Sequence, residues 1–134
     1  MLDTYKLLLC IDDDEEDSAW IGEAISEIDP QIIFVDKRNG REAMTFLNRQ
    51  KEQHILPSLI LLDINMPIMD GKETLLAIKN DPKLKNIPLV IFSTSNNKLD
   101  QFFFARYGAE MVTKPSRISD LKHIIRSLVV AYCA

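Results

Sequence analysis

An α/β fold built on a doubly wound parallel sheet is predicted by three features of this chain: five short apolar runs, helix-spaced segments between them, and a third run without polar alternation. The runs occupy residues 5–11, 32–35, 59–62, 89–92 and 111–113. Each has strand length, and apolar residues between them recur at helical spacing, so a βα unit repeats five times. Residues 59–62 read Leu-Ile-Leu-Leu, as expected of a central parallel strand covered by helices on both faces.

In order along the chain, the first strand covers residues 5–11 and runs directly into acids. The first helix has Ile21, Ala24, Ile25 and Ile28 on one face and Pro30 as its stop signal. The second and third strands follow at 32–35 and 59–62. In the fourth helical segment Phe102, Phe103 and Phe104 are consecutive. Successive helical side chains turn by about 100°, so at least one of the three is expected to stay partly exposed. The last helix carries Leu121, Ile124, Ile125, Leu128, Val129 and Tyr132 as one stripe, with Ser119 as its expected cap. A flavodoxin-like order, 2-1-3-4-5 with helices on both faces, satisfies this pattern.

At 134 residues and 46% hydrophobic content the chain suits one domain, 1–134, with a core between two helical layers. No repeat, low-complexity linker or Pro/Ser-rich tract marks a detached module. Sixteen basic against 20 acidic residues give a net charge of −4, which disfavours unspecific attraction to nucleic acid or an anionic membrane. Cys10 and Cys133 lack partners at zinc-site spacing and are expected to be free thiols. No apolar stretch reaches the roughly 18 residues that span a bilayer. The opening Met1-Leu2-Asp3-Thr4-Tyr5 lacks the basic start of an export signal, so the cytoplasm is the expected compartment.

The chemistry gathers at the strand ends. Strand one leads into Asp12-Asp13-Asp14-Glu15-Glu16-Asp17. Asp14 to Asp17 are expected to form a solvated stretch, with Asp17 available as a cap or first-turn acid. Asp12 and Asp13 leave the strand where open parallel sheets bind ligands. Strand three ends in Asp63, and strands one and three are neighbours in the expected order, so three carboxylates converge. Such a cluster is unfavourable unless a divalent cation or a lysine offsets it, and oxygen-only ligands favour magnesium or manganese over zinc. Strand four ends in Phe92-Ser93-Thr94-Ser95 and strand five in Val112-Thr113-Lys114-Pro115. Acids, a hydroxyl, backbone N–H groups and a cation together suit a phosphoryl group, whose spread charge needs each of them.

The stretches Leu8-Leu9-Cys10-Ile11-Asp12-Asp13-Asp14, Leu61-Leu62-Asp63-Ile64-Asn65-Met66-Pro67 with Asp70-Gly71, residues 88–94, and Gly108-Ala109 leading to Lys114-Pro115 carry a specific resemblance. From about residue 6 to residue 132 the chain resembles a stand-alone bacterial response-regulator receiver domain of two-component signalling, of the chemotaxis-regulator kind. The resemblance implies that Asp63 accepts a phosphoryl group from the phosphohistidine of a sensor histidine kinase or a histidine phosphotransfer protein, forming an acyl phosphate. It implies magnesium, with manganese possible, bound by Asp13 directly, by Asp12 through water, by Asp63, and by the main-chain carbonyl of Asn65. Ser93 stands where a hydroxyl meets the phosphoryl oxygen, with the Thr94 N–H nearby, and Lys114 where a lysine pairs with Asp63 or the phosphate. The Lys114–Pro115 bond is commonly cis in that family, at only about 0.5–1 kcal/mol above trans. Asn65 and Ser95 fall at positions that tune the lifetime of the phosphoaspartate. Slow self-catalysed phosphotransfer and autodephosphorylation follow, rather than turnover of the ordinary enzymatic kind.

Two departures from the commonest pattern stand out. Met111 replaces a frequent aromatic three residues before the lysine, and the last helix ends the chain, so output through an appended DNA-binding domain is not expected. Signalling is expected to pass to a downstream protein, or to a homodimer, through helix 4, strand 5 and helix 5. The alternative within the same fold is a receiver-like binding module that signals without phosphorylation; the intact set Asp12, Asp13, Asp63, Ser93 and Lys114 argues against it. A haloacid-dehalogenase-type phosphatase needs a second acid where Asn65 stands. Flavin binding needs a phosphate loop where six acids stand, which repel phosphate.

Overall fold

A computed structural model describes residues 6–134. The elements alternate as β1 (Leu7–Ile11), α1 (Glu15–Ile28), β2 (Ile33–Lys37), α2 (Gly40–Gln53), β3 (Leu59–Leu62), α3 (Gly71–Lys79), β4 (Leu89–Ser93), α4 (Lys98–Ala105), β5 (Glu110–Thr113) and α5 (Ile118–Cys133). All four strand pairings are parallel, in the order β2-β1-β3-β4-β5. This is the flavodoxin-like arrangement expected from the sequence.

Side chains alternate across a strand, and that alternation divides the core into two layers. Leu9, Ile11, Ile60, Leu62 and Ile91 pack with Ala43, Leu47, Leu75, Ile78 and Phe104, so α2, α3 and α4 cover one face. Leu8, Cys10, Leu59, Leu61, Val90 and Phe92 pack with Ile21, Ala24, Ile25, Ile125, Leu128 and Val129, so α1 and α5 cover the other. Of the stripe expected on α1, Ile21, Ala24 and Ile25 are buried and Ile28 is half-buried at the helix end.

Several boundaries differ from the sequence reading. Tyr5, placed in the first strand, lies outside the described residues, as does the rest of the opening segment. The second strand starts at Ile33 and runs to Lys37, with Ile32 buried just ahead of it. Ser119 does not cap α5: the helix begins at Ile118 behind Arg117, whose backbone is extended and whose side chain makes no cap bond. The carbonyl of Arg117 accepts the first helical bond, from Leu121 N–H, so the turn closes before a Ser119 cap could act. Asp14 caps α1, accepting from the N–H groups of Glu16 and Asp17, and Asp17 takes the other place expected for it, as a first-turn acid. Both cysteines are free and buried, and burial pushes the Cys10 thiol up to about 12. Among the described residues no helix is long and apolar enough to cross a membrane.

The three consecutive phenylalanines separate as helical geometry requires. Phe104 is fully buried, Phe103 is half-buried, and Phe102 is 73% exposed. Phe103 meets Phe104 edge-on at 5.1 Å and Tyr107 at 5.3 Å.

Gly71 sets how closely α3 approaches the end of β3. Its N–H donates to the Ile64 carbonyl at 2.7 Å, and a Cβ there would run into the Asp63 carbonyl and the Ile64 Cα. Backbone cannot swing aside as a long side chain can. Gly71→Ala should therefore lower stability by about 2–3 kcal/mol in urea unfolding, whereas Gly108→Ala, with open space around it but φ at +68°, should lose only about 1 kcal/mol.

Candidate functional site

Register builds the pocket. Cys10 pairs with Leu61 and Ile11 with Leu62, so Asp12 and Asp63 leave adjacent strands at the same level. Ser93 pairs with Thr113, and the Lys114 N–H donates to the Ser93 carbonyl at 2.9 Å. Four neighbouring strands thus end together, β1 in Asp12, β3 in Asp63, β4 in Ser93 and β5 in Lys114.

Asp12, Asp13 and Asp63 each offer a carboxylate oxygen, and these oxygens lie within 4.8 Å of one another. Asp12 is buried and Asp13 exposed, giving the cluster a closed floor and an open mouth. Asp12 Oδ1 accepts the Asp14 N–H at 2.9 Å, while Oδ2 accepts from Lys114 Nζ at 2.6 Å. On Asp63, Oδ1 accepts the N–H of Ile64 at 2.8 Å, and Oδ2 faces Lys114 Nζ at 3.6 Å. Asp12 and Asp63 therefore each have one oxygen pinned by backbone and the other turned towards the lysine.

Burial raises the Asp12 carboxyl to about 6, against the pull of Lys114 and the Asp14 N–H, with Asp63 adding repulsion. Burial alone would lower the Lys114 ammonium, but hydrogen bonds and charge from Asp12, together with Asp17 and Asp63, hold it above its ordinary value. The lysine is thus the fixed cation of the pocket.

The remaining expected site residues are spread around this centre. Ser93 is buried and its Oγ accepts the Ser95 N–H at 3.3 Å, while Thr94 is exposed behind it. Ser95 turns away and donates to Asp100 Oδ2 at 2.9 Å. Asn65 is exposed two residues past Asp63. Met111 lies half-buried on β5 against the layer that holds Phe103, Phe104 and Tyr107. The Lys114–Pro115 bond is trans, since the described residues contain no cis peptide. The ammonium reaches Asp12 without it.

Two participants escaped the sequence reading. Asp17, expected in a solvated stretch, accepts from Lys114 Nζ at 2.9 Å. Its neighbours Ser18 and Ile21 are buried, so the inward phase of α1 was the available signal. Arg38 donates to the Asp12 carbonyl at 3.1 Å and to Asp36 Oδ2 at 2.7 Å, tying the acidic loop to the end of β2. Lys114 pairs with Asp63 at 3.6 Å, the partner expected for it, and has shorter contacts with Asp12 and Asp17.

Lys114→Met strips a buried carboxylate of its counter-charge and should cost about 3 kcal/mol at pH 8 in urea unfolding. The folded Asp12 value lies above the unfolded one, so ionising it costs stability as pH rises from about 4 to about 6. Without the lysine that window moves upward, and the deficit should shrink between pH 8 and pH 6.

Comparison with known proteins converges on one family. The sequence profile of the response regulator receiver domain matches residues 8–126. The chain is 37% identical over 130 residues to response regulator Rcp1 of Synechocystis sp., covering 92% of this chain and 86% of that protein. Among solved structures it is similar to the phosphorylated cyanobacterial phytochrome response regulator RcpA, with 35% identity, a TM-score of 0.88 and 97% and 95% of the two chains covered. It is also similar to the Mn(2+)-bound form of Rcp1, with 33% identity, a TM-score of 0.82 and coverage of 92% and 91%. With four strand ends delivering acids, hydroxyl and lysine to one pocket, the chain belongs to the response regulator receiver domain family.

Proposed function

We propose that the protein is a phosphorylation-dependent signalling switch in which Asp63 accepts a phosphoryl group from a histidine kinase or a histidine phosphotransfer protein. The observation that carries this reading is the convergence of Asp12, Asp13 and Asp63 within 4.8 Å beside Lys114. Three acids so close to one cation are costly for a purely structural site. Similarity to RcpA, whose structure is of the phosphorylated protein, supports the same chemistry.

An oxygen-only donor set with one open side fits a hard divalent cation, and Rcp1 has been crystallised with Mn(2+). We assign magnesium, or manganese, to the carboxylates of Asp12, Asp13 and Asp63 and the main-chain carbonyl of Asn65. When bound, such an ion neutralises phosphoryl oxygens. The chain's own residues do the rest. A carboxylate oxygen of Asp63 attacks phosphorus, the bond to the donor imidazole nitrogen breaks, and its electron pair stays on the imidazole. Lys114 supplies charge to the transferred group, and the Ser93 hydroxyl and Thr94 N–H supply hydrogen bonds. Asn65 and Ser95 tune the lifetime of the acyl phosphate. The signal leaves through α4, β5 and α5: Ser93 moves towards the phosphoryl group, and Met111, flexible enough to adapt, repacks against Phe103 and Tyr107.

A small phosphodonor should add one acid-stable, base-labile phosphoryl group, located at Asp63 by intact mass and peptide mapping. Asp63→Asn should abolish it, and labelling that persists in this variant would overturn the assignment. Millimolar magnesium should raise the melting temperature by native-state binding and relief of carboxylate repulsion, and Asp13→Asn should remove most of that rise.

A further inference from the structure

We propose, building on the phosphoacceptor reading, that Asp17 is a positioning residue for Lys114: it holds the ammonium on the Asp12 side of the pocket, and the lysine loosens from it to meet a phosphoryl group on Asp63. Three distances carry the argument. Lys114 Nζ lies 2.6 Å from Asp12 Oδ2, 2.9 Å from Asp17 Oδ2 and 3.6 Å from Asp63 Oδ2. An ammonium has three N–H donors. Two are committed at hydrogen-bond length, and the acid that takes the phosphoryl group stands outside that length.

The two short bonds have different characters. Asp12 is buried, belongs to the end of β1, and has its other oxygen fixed by the Asp14 N–H. Its bond to Lys114 forms the floor of the pocket. Asp17 comes from the first turn of α1, and its side chain is 39% exposed. Water can replace the lysine there at small cost, so this is the bond that can open. The acidic run supplies the geometry: Asp14 caps the helix, and burial of Ser18 and Ile21 fixes its rotation. Asp17 is thereby aimed across the pocket mouth at a lysine 97 residues away in sequence.

There is room for water to take the lysine's place at Asp17. A narrow cavity lined by Asp17, Ile21, Phe92, Lys114, Pro115 and Leu121 runs beside the lysine stem. The acyl phosphate at Asp63 places new anionic oxygens in competition for the same three N–H groups. Every donor retained by Asp17 is one withheld from the phosphoryl group. Asp17 therefore favours the unphosphorylated arrangement and sets the threshold at which Lys114 commits to the active one.

The test is a titration of beryllium fluoride, a phosphoryl mimic, with magnesium into the full chain, read by fluorescence of Trp20, the sole tryptophan. Trp20 and Asp17 line one groove beside the start of α5. Asp17→Asn should bind the mimic about three- to fivefold more tightly than wild type, the upper range for a partly exposed ion pair. Glu16→Gln removes the same charge one residue away, from a side chain not bonded to Lys114, and should change affinity by less than about twofold. Asp17→Glu, which keeps the carboxylate, should stay near wild type. Affinity in Asp17→Asn equal to wild type, or matched by Glu16→Gln, would overturn the proposal. Failure of wild type itself to bind the mimic would sink the phosphoacceptor reading instead. The contact is then still tested without ligand, since Asp17→Asn should shift the Lys114 ammonium NMR resonance and speed its hydrogen exchange, and an unchanged signal would refute the tether.

Discussion

The buried ion pair between Lys114 and Asp12 is the constraint around which the rest of the structure is arranged. Asp12 is 2% exposed, and a carboxylate so placed costs several kcal/mol unless a cation meets it. That cation comes from the opposite half of the sheet, 102 residues away. The pair can close only if β1, β3, β4 and β5 lie in one order and one register, so the electrostatics of the pocket and the topology of the sheet require each other. Replacing such a pair by apolar residues is often neutral or stabilising in other proteins. A purely structural role therefore explains its presence poorly, and a site that needs both charges explains it well.

The two hydrophobic layers hold this arrangement stiff. β1, β3 and β4 are buried along their whole length, which leaves the strand ends little freedom. Mobility belongs to what is built on those ends. From Ser93 a continuous set of contacts leads to α4: Ser93 Oγ accepts from the Ser95 N–H, Ser95 Oγ donates to Asp100, Asp100 pairs with Lys72 at 2.8 Å, and Lys72 sits 5.4 Å over the Phe103 ring. The first of these contacts depends on where the Ser93 hydroxyl sits. Spatial continuity alone is not energetic coupling, but it defines the place where coupling is measured.

The sheet and the acid cluster were legible in the sequence because both follow from short-range pattern. Short apolar runs between helix-spaced segments mark buried parallel strands, and an acid directly after such a run marks a strand end, which the strand order then brings beside its neighbour. The helix termini were less legible. Ser119 has the chemistry of a cap, yet α5 starts at Ile118 because the Leu121 N–H finds the Arg117 carbonyl first. Asp17 is the more instructive case. Composition describes Asp14 to Asp17 as a solvated stretch, and only the rotational phase of α1 separates Asp17, which reaches Lys114, from Asp14, Glu15 and Glu16, which are exposed. Ile68 carries no local signal at all: a β-branched residue at φ 70° is unfavourable by itself, and it holds that conformation in the β3–α3 loop between Asp63 and Gly71.

Local stability also separates the parts of the fold that can respond from those that cannot. Helix α5 buries Ile125, Leu128, Val129 and Cys133. Helix α4 has eight residues and buries only Phe104, while Leu99 and Phe102 are 75% and 73% exposed. Elements with few buried contacts open at the lowest free energy. Beside α4, β5 is an edge strand with no fully buried residue, and Met111 supplies a thioether in place of a stiff ring. Burial is therefore slight along α4 and β5 and complete along β1 and β3. The exposed Leu99 and Phe102 thus lie on a helix that buries a single residue, beside an edge strand that buries none fully.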